Sequence, residues 1–456
     1  MKYHVWTEGC QMNVADSQRL ESAFEKLGLE STSRAVDADV IVLNTCVVRQ
    51  SAEDKAYSYL QSLRPIKDKR PDTVISVMGC LVGVKNNGKL KERFPWVDVF
   101  APPSDPAPVV DFIRQREGLA VEQAEVEQRF AAQDYEIVLP LHQRGKLVAA
   151  HVPVVLGCSH ACTFCIIPFR RGVERSRSVD GIVTEAQSLV AQGVKEITLL
   201  GQIVDRYGYD LKDQTPALRA GASVSNVKFQ NETPLVDLLR LLNDLDGLER
   251  IRFLTSHPSW MTDELLDAVA ELPKVCEHIE VPVQAGDDEV LARMKRGYTA
   301  DDYRRLVERI RCKLPRGSIA TDIIVGFPGE TDAQFQATYN LLAELKLDVA
   351  HIAKYSIRPQ TVAQRTMPDD VPPEEKEHRR KAIEDLQERI VGGINARLLN
   401  QCVEVLVEDE HKGKWRGRTR TNKLVFFEDN QGDWRGKLAN VTITKTGAWS
   451  MQGIVN

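Results

Sequence analysis

Gly157-Cys158-Ser159-His160-Ala161-Cys162-Thr163-Phe164-Cys165 follows directly on the apolar run Val152-Pro153-Val154-Val155-Leu156, which reads as a strand. Three thiols in the spacing CxxxCxxC on one tight loop can take three irons of a 4Fe-4S cube and leave the fourth iron without a protein ligand. A small molecule can chelate that open iron through its amino and carboxylate groups, as S-adenosylmethionine (SAM) can. One electron from the cluster then cleaves the sulfonium to give a 5′-deoxyadenosyl radical. Phe164, between the last two cysteines, would shield the cluster from water. The competing reading is a zinc site with His160 as fourth ligand. Zinc sites favour CxxC pairs, whereas this triple sits at the first turn of what reads as a barrel.

The run before the loop is the first of six. Glu196–Gly201 (EITLLG), Ile251–Ser256 (IRFLTS), His278–Gln284 (HIEVPVQ), Ile319–Phe327 (IATDIIVGF) and Val349–Ser356 (VAHIAKYS) are further strand signals. Helical stretches such as Val183–Gln192 and Asp301–Lys313 lie between them. The alternation over 151–395, which ends in the charged helix Pro372–Ile390, predicts a partial (βα)6 barrel. Residues 396–456 change character. The short strands CVEVLVED, KLVFFED and LANVTITKT, separated by glycine turns, predict a small all-β module.

Residues 1–115 repeat one pattern. Lys2–Thr7, Asp39–Leu43 and Thr73–Val77 read as strands, with a helix expected over Asp16–Leu27, and together predict an open parallel α/β sheet domain. Each strand is followed by a cysteine: Cys10 in TEGCQMN, Cys46 in LNTCVVR, Cys80 in VMGCLVG. The carboxyl ends of neighbouring parallel strands line one edge, so thiols distant in sequence would converge there. Gly9 and Gly79 permit the sharp turns. Either the three form a second cluster site, again with one open iron, or they are separate buried thiols. Cys276, Cys312 and Cys402 share no spacing and read as structural. Residues 116–150, with EGLAVEQAEVEQRFAAQ, are a linker or a solvated helix.

At 456 residues the chain exceeds one core and fits several domains. A net charge of −5 gives no global nucleic-acid signature, so any RNA contact must come from local basic patches. No apolar run approaches the ~20 residues of a membrane span, and the start, MKYHVWTEGCQMN, lacks a basic segment followed by an apolar one. A soluble cytoplasmic protein is expected. Nine cysteines in that setting point to metal or catalysis rather than disulfides.

Together, two three-cysteine sets, a barrel and a small β module resemble the methylthiotransferase family of radical SAM enzymes. The resemblance covers essentially the whole chain and rests on GCQMNVADS, NTCVVR, GCSHACTFCIIPFRRGVERSRS, TSHPSWM, VPVQAGDDEVLARMKRGYT and DIIVGFPGE. GCQMN and NTCVVR are most similar to the subfamily acting on isopentenyladenosine of tRNA. The family fold is an N-terminal cluster domain, a radical SAM barrel and a C-terminal TRAM domain that binds RNA. By that resemblance Cys158, Cys162 and Cys165 hold the radical-generating cluster, and Cys10, Cys46 and Cys80 an auxiliary cluster that carries or supplies sulfur. One SAM would methylate that sulfur. A second would yield the radical that takes a hydrogen from C2 of the adenine ring, a carbon unsuited to polar attack. The implied cofactors are two 4Fe-4S clusters and SAM. The implied partners are the anticodon stem-loop of tRNA and an electron donor such as flavodoxin or ferredoxin, and three domains on one chain suit a monomer.

SAM contacts are expected from barrel strand ends: Gln202, Ser256, His257, Gln284, and the stretch Asp322 to Gly326, with the backbone around Ile324 meeting the adenine. Each polar residue could equally be a satisfied loop hydrogen bond. RNA phosphates are expected at Arg170, Arg171, Arg175 and Arg177, and at Lys414, Arg416, Arg418, Arg420 and Lys423 of HKGKWRGRTRTNK; salt bridges and a solvated hairpin are the alternatives. The chain departs from the family at Ile203 (usually Asn), Ala285 (usually Ser) and Gln360 (usually Gly). The stretch Asp210–Glu232 is longer than the core fold requires. Rival functions are a methylthiotransferase of threonylcarbamoyladenosine tRNA or of a ribosomal-protein aspartate and, in another class, a non-catalytic iron–sulfur RNA-binding protein.

Overall fold

The computed structural model describes residues 1–84, 88–116, 136–212, 229–430 and 432–456. Strands β1 (Lys2–Thr7), β2 (Glu30–Ser31), β3 (Val40–Thr45), β4 (Val74–Gly79) and β5 (Val99–Ala101) form a parallel sheet in the order β2-β1-β3-β4-β5. β3 and β4 are buried at every position, as central strands covered on both faces must be. Helix α1 (Gln11–Lys26) begins five residues before the expected Asp16, because Cys10 itself is the N-cap. Helix α2 spans Gln50–Lys69.

The barrel consists of β6 (Ala149–Pro153), β9 (Glu196–Leu200), β10 (Arg250–Leu254), β11 (His278–Glu280), β12 (Ser318–Val325) and β13 (Val349–Lys354). They lie in two parallel three-stranded sheets, β6-β9-β10 and β11-β12-β13, which meet through a bridge between Ile251 and Val275. Between β6 and β9 a two-residue pair, β7 (Val155–Leu156) and β8 (Arg175–Ser176), brackets the cysteine loop. β11 covers only the first three residues of the expected run HIEVPVQ. Pro282 has no N–H to donate to the ladder, and its carbonyl instead accepts from Tyr298 and Arg296.

Within the stretch expected as a linker, Ile137 and Leu139 are buried in the barrel core, so residues 136–148 pack with the barrel. Residues 117–135 and most of Asp210–Glu232 lie outside the described residues.

The C-terminal module is a closed barrel, β14 (Cys402–His411), β15 (Lys414–Thr419), β16 (Leu424–Phe427), β17 (Leu438–Thr446) and β18 (Met451–Val455), in the order β14-β15-β16-β18-β17. It seals the amino-terminal mouth of the large barrel. Arg252 of β10 donates to the carbonyls of Thr419 (2.8 Å) and Arg420 (2.7 Å), and Arg250 to that of Arg418 (2.6 Å). At the opposite mouth the N-terminal domain docks through α1. Met12 and Ala15 pack on Leu200 and Leu254, the last residues of β9 and β10. The apolar side of α1 therefore carries the edge holding Cys10 onto the open end of the barrel. Among the described residues no helix is long and apolar enough to cross a membrane.

Candidate active site

Between the carboxyl edge of the first sheet and the carboxyl ends of the barrel strands lies a cavity of about 710 Å³. Its walls include Cys10, Cys46 and Cys80 from one side and Cys158, Cys162 and Cys165 from the other. The convergence expected from strand order therefore occurs, and both triplets face the same space.

Backbone geometry sets the N-terminal triplet. The Cys80 N–H donates to the Thr45 carbonyl at 2.8 Å, which ties the end of β4 to the end of β3. Gly79 makes the turn at φ 96°, where a Cβ would run into that same carbonyl oxygen. Cys10 heads a 16-residue helix, a position that favours a thiolate. Asn13 buttresses the edge by donating to Asn44 Oδ1 (2.9 Å) and the Thr45 carbonyl (3.0 Å). A hydrogen bond between the Cys10 and Cys46 thiols pushes Cys10 down to about 6 and Cys46 well above the usual thiol range. Burial raises Cys80.

The loop triplet is held as tightly. Gly157 turns at φ 69°, the Cys158 N–H donates to the Gly172 carbonyl at 3.1 Å, and the Thr163 N–H to that of Met294 at 3.1 Å. The His160 N–H points at Cys158 Sγ, 3.4 Å away. Burial pushes the Cys158 thiol up to about 11 and that of Cys165 to about 12. Iron loading must therefore displace protons from buried thiols, which a positive charge nearby eases. Arg296 supplies one, its Nη1 3.1 Å from Cys162 Sγ.

Each set brings three thiols to the cavity, the donors that three irons of an open 4Fe-4S cube require. Among the described residues no group of three or more His, Cys, Asp or Glu side chains closes on one metal ion. A cube that binds each thiolate at a separate iron needs wider spacing. His160 belongs to no such group among the described residues; its ring packs at a tilt against His257, centroids 4.6 Å apart. The cavity also presents buried polar atoms without a protein partner, Ser256 Oγ and His257 Nε2, and such atoms call for a ligand or water. Gln202, Gln284 and Asp322 share this wall. Thr255 and Gln284 hold φ values of 69° and 75° at the cavity, a strained backbone of the kind that clusters at functional sites. Glu280 is raised to about 7 by burial and by neighbouring Asp322.

Several expectations need correction. Ile324 and Gly326 do not line the cavity. The Ile324 N–H is taken by the Gln284 carbonyl at 3.0 Å and that of Gly326 by Glu330 Oε2 at 2.6 Å. Ala285 packs in an apolar cluster with Leu291 and Phe327, so its missing hydroxyl is not lost from the cavity wall. Ile203 does line it, beside Cys158 and Cys165.

The arginine run is not a free phosphate-binding surface. Arg171 is buried and ion-paired with Asp16 at 3.1 Å, and Arg177 pairs with buried Glu185 at 2.6 Å. Arg170 is half-buried and Arg175 exposed. In the basic C-terminal stretch, Arg420 is bonded to Glu277 (2.9 Å) and Lys423 to Asp348 (2.9 Å), where the module meets the barrel. Lys414, Arg416 and Arg418 are half-exposed and pair with Glu428, Asp409 and Glu408 of the module itself.

Sequence reasoning passed over Arg296 and Tyr298, although both stand in the quoted MKRGYT. It also passed over Asn13 and Asp16, in GCQMNVADS. Tight clustering of polar residues one helical turn beyond a cysteine was the available signal.

Comparison with known proteins agrees with this arrangement. Family models match over three segments: the Radical SAM superfamily over residues 152–342, the TRAM domain over 396–455, and uncharacterized protein family UPF0004 over 2–102. A tRNA-2-methylthio-N(6)-dimethylallyladenosine synthase of Roseiflexus sp. (strain RS-1) is 48% identical over 100% of this chain and 89% of its own. One of Herpetosiphon aurantiacus is 45% identical over 99% and 97%. Among solved structures, the radical SAM methyltransferase TsrM of Kitasatospora setae superposes with a TM-score of 0.54 at 16% identity, covering 80% of this chain and 77% of that one, a likeness of fold alone. The chain belongs to the family of radical SAM methylthiotransferases that the tRNA-2-methylthio-N(6)-dimethylallyladenosine synthases represent.

Proposed function

We propose that this chain adds a methylthio group to C2 of isopentenyladenosine next to the anticodon of tRNA. The observation that carries the reading is the meeting of two cysteine triplets at one cavity. The names of the full-length relatives support the dimethylallyl (isopentenyl) substrate over threonylcarbamoyladenosine or a ribosomal-protein aspartate. The cofactors of the family are two 4Fe-4S clusters and SAM. Bound together, they supply one-electron chemistry and a sulfur atom to a ring carbon that polar attack does not reach.

The residues of the chain take the following parts. Cys158, Cys162 and Cys165 would hold the radical-generating cluster, and Cys10, Cys46 and Cys80 the auxiliary one, each leaving one iron for a non-protein ligand. Gln202, Ser256, Gln284 and Asp322 would orient SAM, with His257 beside them. Met12, Leu200 and Leu254 seal the wall next to Cys10 against water. Arg175, Arg170, Lys414, Arg416 and Arg418 would meet RNA phosphates, the last three by exchanging the acids they now hold. The division of labour follows three units: residues 1–115 for the auxiliary cluster, a barrel through 395, and 396–456 for RNA. A small electron carrier such as flavodoxin or ferredoxin, a monomeric state and a cytoplasmic setting complete the reading.

Mass analysis of tRNA nucleosides from a strain lacking the gene tests it. Loss of 2-methylthio-isopentenyladenosine with retention of isopentenyladenosine is expected. An unchanged level of the methylthio nucleoside would refute the assignment.

A further inference from the structure

Arg171 leaves the barrel just after the cysteine loop and ends inside the other domain. Its side chain is 2% exposed, and Nη1 is fixed by Asp16 Oδ2 (3.1 Å) on α1 and by Ser104 Oγ (3.0 Å) beyond β5. Ser104 in turn donates to Asp16 Oδ1 at 2.8 Å, so the guanidinium cannot swing freely. Two of its buried donor atoms, Nε and Nη2, have no hydrogen-bond partner. Leaving such donors bare is costly, more so when the group is charged. Arg171 also lines the cavity that holds Cys10 and Cys80.

We propose that Arg171 is a positioning residue of the auxiliary centre: its unpartnered Nε–H and Nη2–H serve sulfur at the Cys10–Cys80 face, while Nη1 locks that face to the barrel through Asp16 and Ser104. The inference rests on the assignment of Cys10, Cys46 and Cys80 to a cluster. A buried cation beside cluster sulfur stabilises the reduced, more negative form. One residue thereby couples interdomain docking to the electronics of the second cluster.

The test uses reconstituted full-length protein carrying Cys158→Ala, Cys162→Ala and Cys165→Ala, so that only the auxiliary cluster contributes to an EPR-monitored redox titration. Arg171→Met is expected to move its midpoint to more negative potential, Arg171→Lys to restore most of the shift, and Asp16→Asn to move it to more positive potential. A residue with a purely structural role would not produce shifts of opposite sign. An unchanged midpoint in Arg171→Met, or shifts of the same sign in Arg171→Met and Asp16→Asn, would overturn the proposal with the site assignment intact. Absence of any cluster in the parent triple variant would overturn the assignment and the proposal with it. If Arg171→Met does not retain iron, Asp16→Asn decides: a positive shift supports the proposal and no shift overturns it.

Discussion

Arg296 Nη1 lies 3.1 Å from Cys162 Sγ. Its other bonds go to the Tyr298 hydroxyl (2.9 Å) and the Pro282 carbonyl (3.3 Å), both neutral groups. The side chain is buried, so a thiolate at Cys162 is the counter-charge it meets at closest range. A hydrogen bond to a charged group contributes about 1.5–3 kcal/mol. Arg296→Met is therefore expected to destabilise the iron-loaded protein by about 2 kcal/mol more than the iron-free protein. Denaturant unfolding of both forms measures the difference, and equal losses would show that Arg296 does not answer the thiolate.

Gly157→Ala is expected to empty the barrel cluster while sparing the other. At φ 69° an added Cβ is strained, and it would run into the carbonyl oxygens of Val173 and Gly172, rigid backbone that cannot give way. The Cys158 N–H bond to Gly172 would be lost with that displacement. Iron analysis should read roughly half the wild-type content, and full iron content would show that the loop tolerates the change.

Gln360→Gly is expected to stabilise the protein by about 0.5–1 kcal/mol. Gln360 is exposed and held at φ 75°, in the position where the family usually has glycine. A side chain in the left-handed region costs about 1–2 kcal/mol, part of which glycine returns as unfolded-state entropy. Chemical denaturation reads the gain, and a loss of stability would mean that the Gln360 side chain makes a contact worth more than the strain.

His278 gives the stability a pH dependence of known sign. Burial, with Arg252 and Lys423 nearby, pushes its pKa down to about 3, and the ring is bonded to Ser318 Oγ at 2.7 Å beneath the C-terminal module. The unfolded chain takes up this proton near pH 6.5 and the folded chain does not. Its contribution is thus complete above about pH 6.5 and falls by about 1.4 kcal/mol per pH unit below that, down to about pH 3. His278→Gln should remove one proton from the slope between pH 6 and 4, as measured by denaturant unfolding. An unchanged slope would mean that the ring titrates normally.

Much of this was legible in the sequence for identifiable reasons. β3 and β4 are mostly apolar and buried at every position, as central parallel strands are, and the cysteine after each had to fall on one edge. The loop Gly157–Cys165 carried its own spacing. What failed were inferences that needed tertiary partners. Arg171 and Arg177 read as an open basic run, yet their acids, Asp16 and Glu185, lie 155 and 8 positions away and only folding brings them together. The basic stretch read as a run of RNA contacts, with a solvated hairpin as the alternative; it is the second strand of the β14–β15 hairpin, in which buried Trp415, Gly417 and Thr419 alternate with Lys414, Arg416 and Arg418. Arg420 and Lys423 found Glu277 and Asp348 on the large barrel, a contact no local pattern encodes.

The central claim is that two independent thiolate sets each hold a cluster at a common cavity. Iron and acid-labile sulfide content, compared between Cys158→Ala/Cys162→Ala/Cys165→Ala and Cys10→Ala/Cys46→Ala/Cys80→Ala, tests it most directly. Roughly eight of each per wild-type chain should fall to roughly four in either variant. A chain that loses all its iron with one set, or none of it, would contradict two separate sites.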